Sequence, residues 1–150
     1  ASAGHAIKLL EPLKEDAADM TIAVFPSAGR SRGFGFAKLA ATELLMEATG
    51  RRFAEPLSGQ RAVNGALMRS LTLAEGFGLE VGLTIDTNML GKRILEVPVD
   101  LSHSPTGRGV QDMLHRARQF GDLTQASASR LGWRRTLASI LRSLIRRFKS

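Results

Sequence analysis

The 150-residue sequence predicts an α/β domain, on three observations. Asp19–Phe25 (DMTIAVF) and Arg93–Leu101 have the β-branched or alternating apolar pattern of strands. Phe36–Glu47 and Leu79–Leu90, lying between them, carry apolar residues at helical spacing or on most sides. Within the stretch Glu55–Gly109, the residues able to do chemistry stand at the ends of these elements, where open α/β sheets gather ligand groups.

In chain order, residues 4–14 read as a short helix with Ile7, Leu10 and Leu13 on one face, cut at Pro12. Asp19–Phe25 is a buried strand closed by Pro26. Residues 26–35 (PSAGRSRGFG) form a loop. Its Gly33-Phe-Gly35 invites a phosphate-binding reading, but a dinucleotide fingerprint needs a third glycine where Lys38 stands, so a mobile surface loop is favoured. Phe36–Glu47 follows as a helix with Phe36, Leu39, Ala40 and Leu44 on one face, stopped by Gly50. The Pro56–Gly59 turn leads into a short strand, Ser58–Val63, then a turn or two of helix to Leu71. After a break at Glu75–Gly78, Leu79–Leu90 is a largely buried helix ended by Gly91.

Arg93–Leu101 puts Leu95, Val97, Val99 and Leu101 on one face, and Glu96, Pro98 and Asp100 on the other. Pro98 cannot donate to a ladder, which predicts an edge strand or a bulge. Ser102–Gly109 is a loop and Val110–Thr124 a polar helix. Finally, at 100° per residue, Trp133, Leu137, Ile140, Leu141, Leu144 and Phe148 fall within about a third of the circle, opposite Arg135, Arg142, Arg146 and Lys149. Trp133–Lys149 is thus a basic amphipathic helix, either docked on the core with its charges in solvent or resting on an anionic membrane surface.

With 43% apolar residues and mean hydropathy −0.04, a single globular domain with a real core is expected. The absence of cysteine excludes disulfides and thiolate metal sites and fits a cytoplasmic setting. Ala1–Ala6 lacks the pattern of a signal peptide, and the first residue is not methionine, so the expectation is a processed terminus or a piece of something longer. Seven of the 21 basic residues lie from Arg130 onward, with no acidic residue among them; the other 14 are balanced by all 14 acidic ones. The chain therefore divides into a neutral body, 1–129, and a basic segment, 130–150, which suits a local anionic partner better than nucleic acid bound across a face.

Three residues outside the helical stripes can carry chemistry. Glu80 opens an apolar helix, where it is either a first-turn carboxylate favoured by the dipole or a group tuned for proton transfer or hydroxyl binding. Asp86 lies about 120° around that helix, so the two do not form a carboxylate pair, whereas Thr84 and Thr87 share Glu80's face. His103 closes the last strand and is either a loop hydrogen-bonder or a metal ligand. Arg108, between glycines, is either an exposed loop cation or a phosphate contact. His5 and His115 fall on helix patterns and read as surface.

The runs PLSGQRA, GFGLEVGLTIDTNMLGKRILEVPVDLSH and TGRGVQDMLHRARQF, in this order and spacing, resemble the C-terminal half of bacterial family 2 glycosyltransferases of the GT-A fold; ADMTIAVFP and GFGFAKLA resemble what precedes the PLSGQ loop there. The resemblance covers about Ala6 to Asp122. It implies a mixed sheet flanked by helices, the acceptor-side half of an enzyme that moves a sugar from a nucleotide-diphosphate sugar to a hydroxyl acceptor, small molecule or lipid, with Mg²⁺ or Mn²⁺. The family's aspartate motif for that metal is absent from this chain, so the resemblance implies that the chain is incomplete as a catalyst. By the same carry-over, Leu57, Ser58, Gly59 and Gln60 line the cleft near donor and acceptor, Glu80 is the acceptor-side acid or base, His103 the third metal ligand, and Arg108 approaches the diphosphate. The family usually follows that histidine with arginine, where this chain has Ser104.

The rival expectation is a non-enzymatic α/β module that holds an anionic membrane surface or nucleic acid through its arginine-rich end. The absence of tyrosine disfavours single-stranded nucleic acid, which is held by stacking.

Overall fold

The computed structural model describes residues 3–25, 35–74, 76, 78–99 and 110–148. Its elements are α1 (Ala3–Lys14), β1 (Met20–Val24), α2 (Gly35–Thr49), β2 (Arg61–Val63), α3 (Gly65–Ser70), α4 (Gly78–Met89), β3 (Ile94–Pro98), α5 (Val110–Leu131) and α6 (Trp133–Phe148). The three strands form a mixed sheet in the order β2-β1-β3. β2 runs antiparallel to β1, with Ile22 opposite Arg61; β3 runs parallel to it, with Ile22 opposite Glu96 and Val24 opposite Pro98. The proline thus sits on an edge strand, as its missing N–H requires.

β1 is central and its side chains alternate between two apolar layers. Met20 and Ile22 are fully buried with Ala40, Ala41, Leu44 and Leu45 of α2, and Val81 and Ile85 of α4. Burying each of the larger of these side chains contributes about 1.5–3 kcal/mol. Ala23, on the opposite face, packs with Phe25, Val99 and Leu9 of α1, and the Thr21 hydroxyl donates to the Leu9 carbonyl at 2.8 Å.

Several local expectations are corrected. Pro12 does not cut α1, which runs two residues past it to Lys14, and its carbonyl accepts from Ala17 and Ala18 beyond the helix end. The face of α1 that packs is that of Leu9, while Ile7 and Leu10 are exposed. In β3 the residue buried against the main core is Ile94, and Leu95 is exposed because that face of the edge strand is only partly covered. α5 continues past Thr124 to Leu131. Its small residues allow this, since a Cβ placed on Gly78 of α4 would lie 2.6 Å from the Ala126 Cβ. Phe36 and Phe120 join α2 to α5 with ring centroids 5.3 Å apart.

α6 turns back at Gly132, whose φ of 82° suits glycine, and packs on α2. The buried side chains are Thr136, Ser139 and Ser143, with Ile140 and Leu144 half-buried. Glu47 of α2 receives Arg135 Nε at 2.9 Å and Arg142 Nη2 at 2.7 Å. These bonds hold the Glu47 carboxyl below its ordinary range, the Arg135 hydrogen bond contributing most.

Candidate active site at the carboxyl ends of the parallel strands

Side chains directly opposite one another in a sheet share a face, so Arg61, Ile22 and Glu96 form one row across β2, β1 and β3. The row lies on the α2/α4 side, beyond Met20 toward the carboxyl ends of the two parallel strands, and residues 54–60 pass over it. Glu96 Oε1 accepts from the backbone N–H of Ala54 at 2.8 Å and of Glu55 at 3.0 Å. Lys38 Nζ of α2 holds the Glu55 carboxylate at 2.8 Å. Arg61 then grips the turn itself: Nε donates to Ser58 O at 2.7 Å and Nη2 to Pro56 O at 3.1 Å. Its Nη1 donates to Thr84 Oγ1 of α4 at 2.8 Å, and Thr84 donates in turn to Glu80 O at 2.9 Å. Enclosure pushes the Arg61 pKa down to about 10, and the charges of Glu80 and Glu96 work against that depression.

Of the residues predicted for the site, the structure brings the Pro56–Gln60 turn and Glu80 together. Leu57 is half-buried against the main core, Ser58 is buried, and Gly59 and Gln60 are exposed. A Cβ on Gly59 would lie 3.5 Å from Glu80 Oε1, an ordinary contact distance, so the carboxylate lies next to the turn. Glu80 is half-buried, and its carboxylate makes no ion pair or hydrogen bond with another described residue. Ser58 Oγ is buried without a hydrogen-bond partner among the described residues, an arrangement that calls for an explanation. His103 and Arg108 lie outside the described residues, as does most of the 26–35 loop. β1 and β3 end side by side, with Val99 N donating to Val24 O at 2.9 Å, and His103 follows Val99 closely in sequence.

Arg61, Thr84 and Glu96 were missed as site residues by sequence reasoning. Only the last left a local signal, as a carboxylate inside a strand. Arg61 stands beside Gln60 in the same motif, and its role depends on pairing with a strand nearly forty residues earlier.

A carboxylate with no hydrogen bond or ion pair to another described residue, beside a glycine turn and a fixed cation, can accept a proton from a hydroxyl or orient it. Among the described residues no three His, Cys, Asp or Glu side chains gather as a metal site. An open cleft of about 420 Å³ lies at the other end of α4, lined by Ser70, Thr72, Asp86, Met89 and Arg130 among others. Its two charged groups are bonded to each other, Arg130 Nε and Nη2 meeting the Asp86 carboxylate at 2.6 Å each, which makes it a structural clamp.

The fold recurs in solved structures. Glucosyl-3-phosphoglycerate synthase from Mycobacterium tuberculosis, in complex with phosphoglyceric acid, superposes with a TM-score of 0.62 at 26% identity, over 85% of this chain and 44% of that one. The architecture is that of part of a GT-A glycosyltransferase. The same synthase with Mg²⁺ and uridine diphosphate gives a TM-score of 0.61 at 25% identity, again over 85% and 44% of the two chains. Its complex with Mn²⁺, uridine-diphosphate-glucose and phosphoglyceric acid gives 0.59 at 23%, over 83% and 44%. The chain thus spans less than half the length of this GT-A family 2 enzyme. No protein-family model matches the sequence, and no curated protein sequence does.

Proposed function

We propose that this chain is the acceptor-side part of a nucleotide-sugar glycosyltransferase, moving a sugar from a nucleoside-diphosphate sugar to a hydroxyl acceptor. The observation that carries the reading is the Glu80 carboxylate, with no hydrogen bond or ion pair to another described residue and set against Gly59 in a turn fixed by Arg61 and Glu96. The GT-A architecture, and the uridine-diphosphate-glucose and phosphoglyceric acid bound by the neighbour, support it.

In this reading Glu80 holds the acceptor hydroxyl and takes its proton as the sugar is transferred. Leu57, Ser58, Gly59 and Gln60 line the donor sugar, with the orphaned Ser58 hydroxyl available to a ligand. Arg61 does not touch substrate; it holds the turn through the carbonyls of Pro56 and Ser58. His103 is the metal ligand contributed by this part and Arg108 its diphosphate contact. The metal, Mg²⁺ or Mn²⁺ as in the neighbour, neutralises the departing diphosphate when bound. Its remaining ligands come from a nucleotide-binding part, without which this chain is inactive.

The test is transfer of labelled glucose from uridine-diphosphate-glucose to phosphoglyceric acid with Mn²⁺, measured on the protein that carries this chain together with a nucleotide-binding part. Glu80→Gln is expected to lower kcat by about 10²–10⁴, the range for losing a positioned acid or base. His103→Ala is expected to abolish Mn²⁺-dependent donor hydrolysis as well. Unchanged transfer and acceptor affinity in Glu80→Gln would remove the basis of the reading.

A further inference from the structure

The C-terminal helix presents a surface that neither the fold nor the proposed chemistry uses. Trp133, Leu137, Leu141 and Ile145 recur at every fourth position and are 59%, 56%, 57% and 48% exposed. They form one row about 18 Å long at 1.5 Å per residue. The expectation that such a helix docks by its apolar stripe is corrected here. α6 meets α2 through Thr136, Ser139 and Ser143, about a third of a turn away from the row, and is secured by Arg135 and Arg142 on Glu47. Solvent is a poor partner for four large apolar side chains in a line, so the row is available for another surface.

The charge around it selects the partner. Arg134 stands beside the row, exposed, with no ion pair to a described residue. No acidic residue occurs from Arg130 to the last residue, while the sequence adds Arg146, Arg147 and Lys149 at the far end. Arg130 is paired with Asp86, and Arg135 and Arg142 share the single carboxylate of Glu47, so α6 keeps a net positive charge, with Arg134 on the side of the apolar row. A second copy placed row to row would bring these cations together. An anionic bilayer neutralises them while its acyl region takes the side chains. No helix among the described residues is long and apolar enough to cross a membrane, so the contact is with the surface.

We propose that α6 seats this protein on an anionic lipid surface through Trp133, Leu137, Leu141 and Ile145, with Arg134 on the headgroups. Seating and docking use different faces of the helix, so the body stays folded while bound. The inference does not rest on the glycosyltransferase reading.

Trp133 is the only tryptophan, so its emission reports the contact without a label. The full 150-residue chain is titrated with vesicles of phosphatidylcholine containing about 30% phosphatidylglycerol, and with phosphatidylcholine alone. The expected result is a blue shift, quenching by brominated acyl chains, and partitioning onto the anionic vesicles at least about tenfold stronger than onto neutral ones. Leu137→Ser with Leu141→Ser, at exposed positions, should keep the circular dichroism and reduce binding about tenfold or more. Arg134→Glu should weaken anionic binding alone. Equal binding to both vesicle types, or no quenching, overturns the proposal. So does light scattering that shows a dimer which Leu137→Ser dissociates, since the row would then belong to an interface between copies.

Discussion

Arg61→Met removes the fork that holds the turn while keeping the aliphatic stem. The fork makes three charge-assisted bonds, to Ser58 O, Pro56 O and Thr84 Oγ1. Such bonds contribute about 1.5–3 kcal/mol each, so their loss would cost about 4.5–9 kcal/mol if the acceptors stayed dry. Two terms offset this. The Arg61 pKa is pushed down to about 10, meaning the charged form is bound less well in the fold than in the unfolded chain. At 1.36 kcal/mol per unit that penalty is about 3 kcal/mol, and Met does not incur it. The Pro56–Gln60 turn also lies next to exposed Gly59 and Gln60, so water can reach part of what the guanidinium leaves behind. The net expectation is a loss of about 1–3 kcal/mol in urea unfolding, with hydrogen exchange at Ser58–Gln60 accelerated more than at β1. Arg61→Lys should recover little, because a single ammonium cannot span the three acceptors. Unchanged exchange at the turn would refute the assignment of Arg61 as its clamp, and a loss far above 4 kcal/mol would show that the enclosure penalty was overstated.

Other expected outcomes concern the scaffold. Glu47 titrates below its ordinary value, so its contribution to holding α6 is complete above about pH 4.5 and is lost as pH falls through its folded value; an acid titration followed by Trp133 emission should detach α6 in that window, and Glu47→Gln should remove the transition. Gly78→Ala would put a Cβ 2.6 Å from the Ala126 Cβ and 2.7 Å from Asp122 O, and should cost about 1–3 kcal/mol in thermal or urea unfolding, with partial relief from Ala126→Gly. Arg130→Met strands Asp86 in a site where the two side chains are only 11% and 18% exposed, and should cost about 3–5 kcal/mol; the double variant with Asp86→Asn should cost less than the sum of the singles.

The elements most legible in the sequence were those whose environment is local in character. β1 is apolar apart from Thr21 because it is the central strand, and the ends of α2 and α4 are written in Gly50 and Gly91, with φ of 70° and 66°. Pro98 gave the edge position of β3. What was not legible depended on distant partners. The length of α5 was missed because its Ala126–Ser129 run looks like a polar spacer, although small side chains are what the close approach to Gly78 requires. The docking face of α6 was misassigned because hydrophobic periodicity reports where apolar groups are, not which face another helix meets. In the candidate site, Glu80 and the Pro56–Gly59 turn could be named from their patterns. Arg61, Thr84 and Glu96 become visible only once β2 and β3 are aligned with β1.

That alignment has a further consequence. Ile22 has a cation on one flank and an anion on the other, and a shift of either outer strand by a single residue would send its charge through the sheet to the apolar layer of Leu9, Ala23, Phe25 and Val99. Misthreaded folding is therefore penalised by the same two side chains that shape the cleft. Selection acting on the chemistry at this end of the molecule would, without any separate pressure, also police how the strands are assembled.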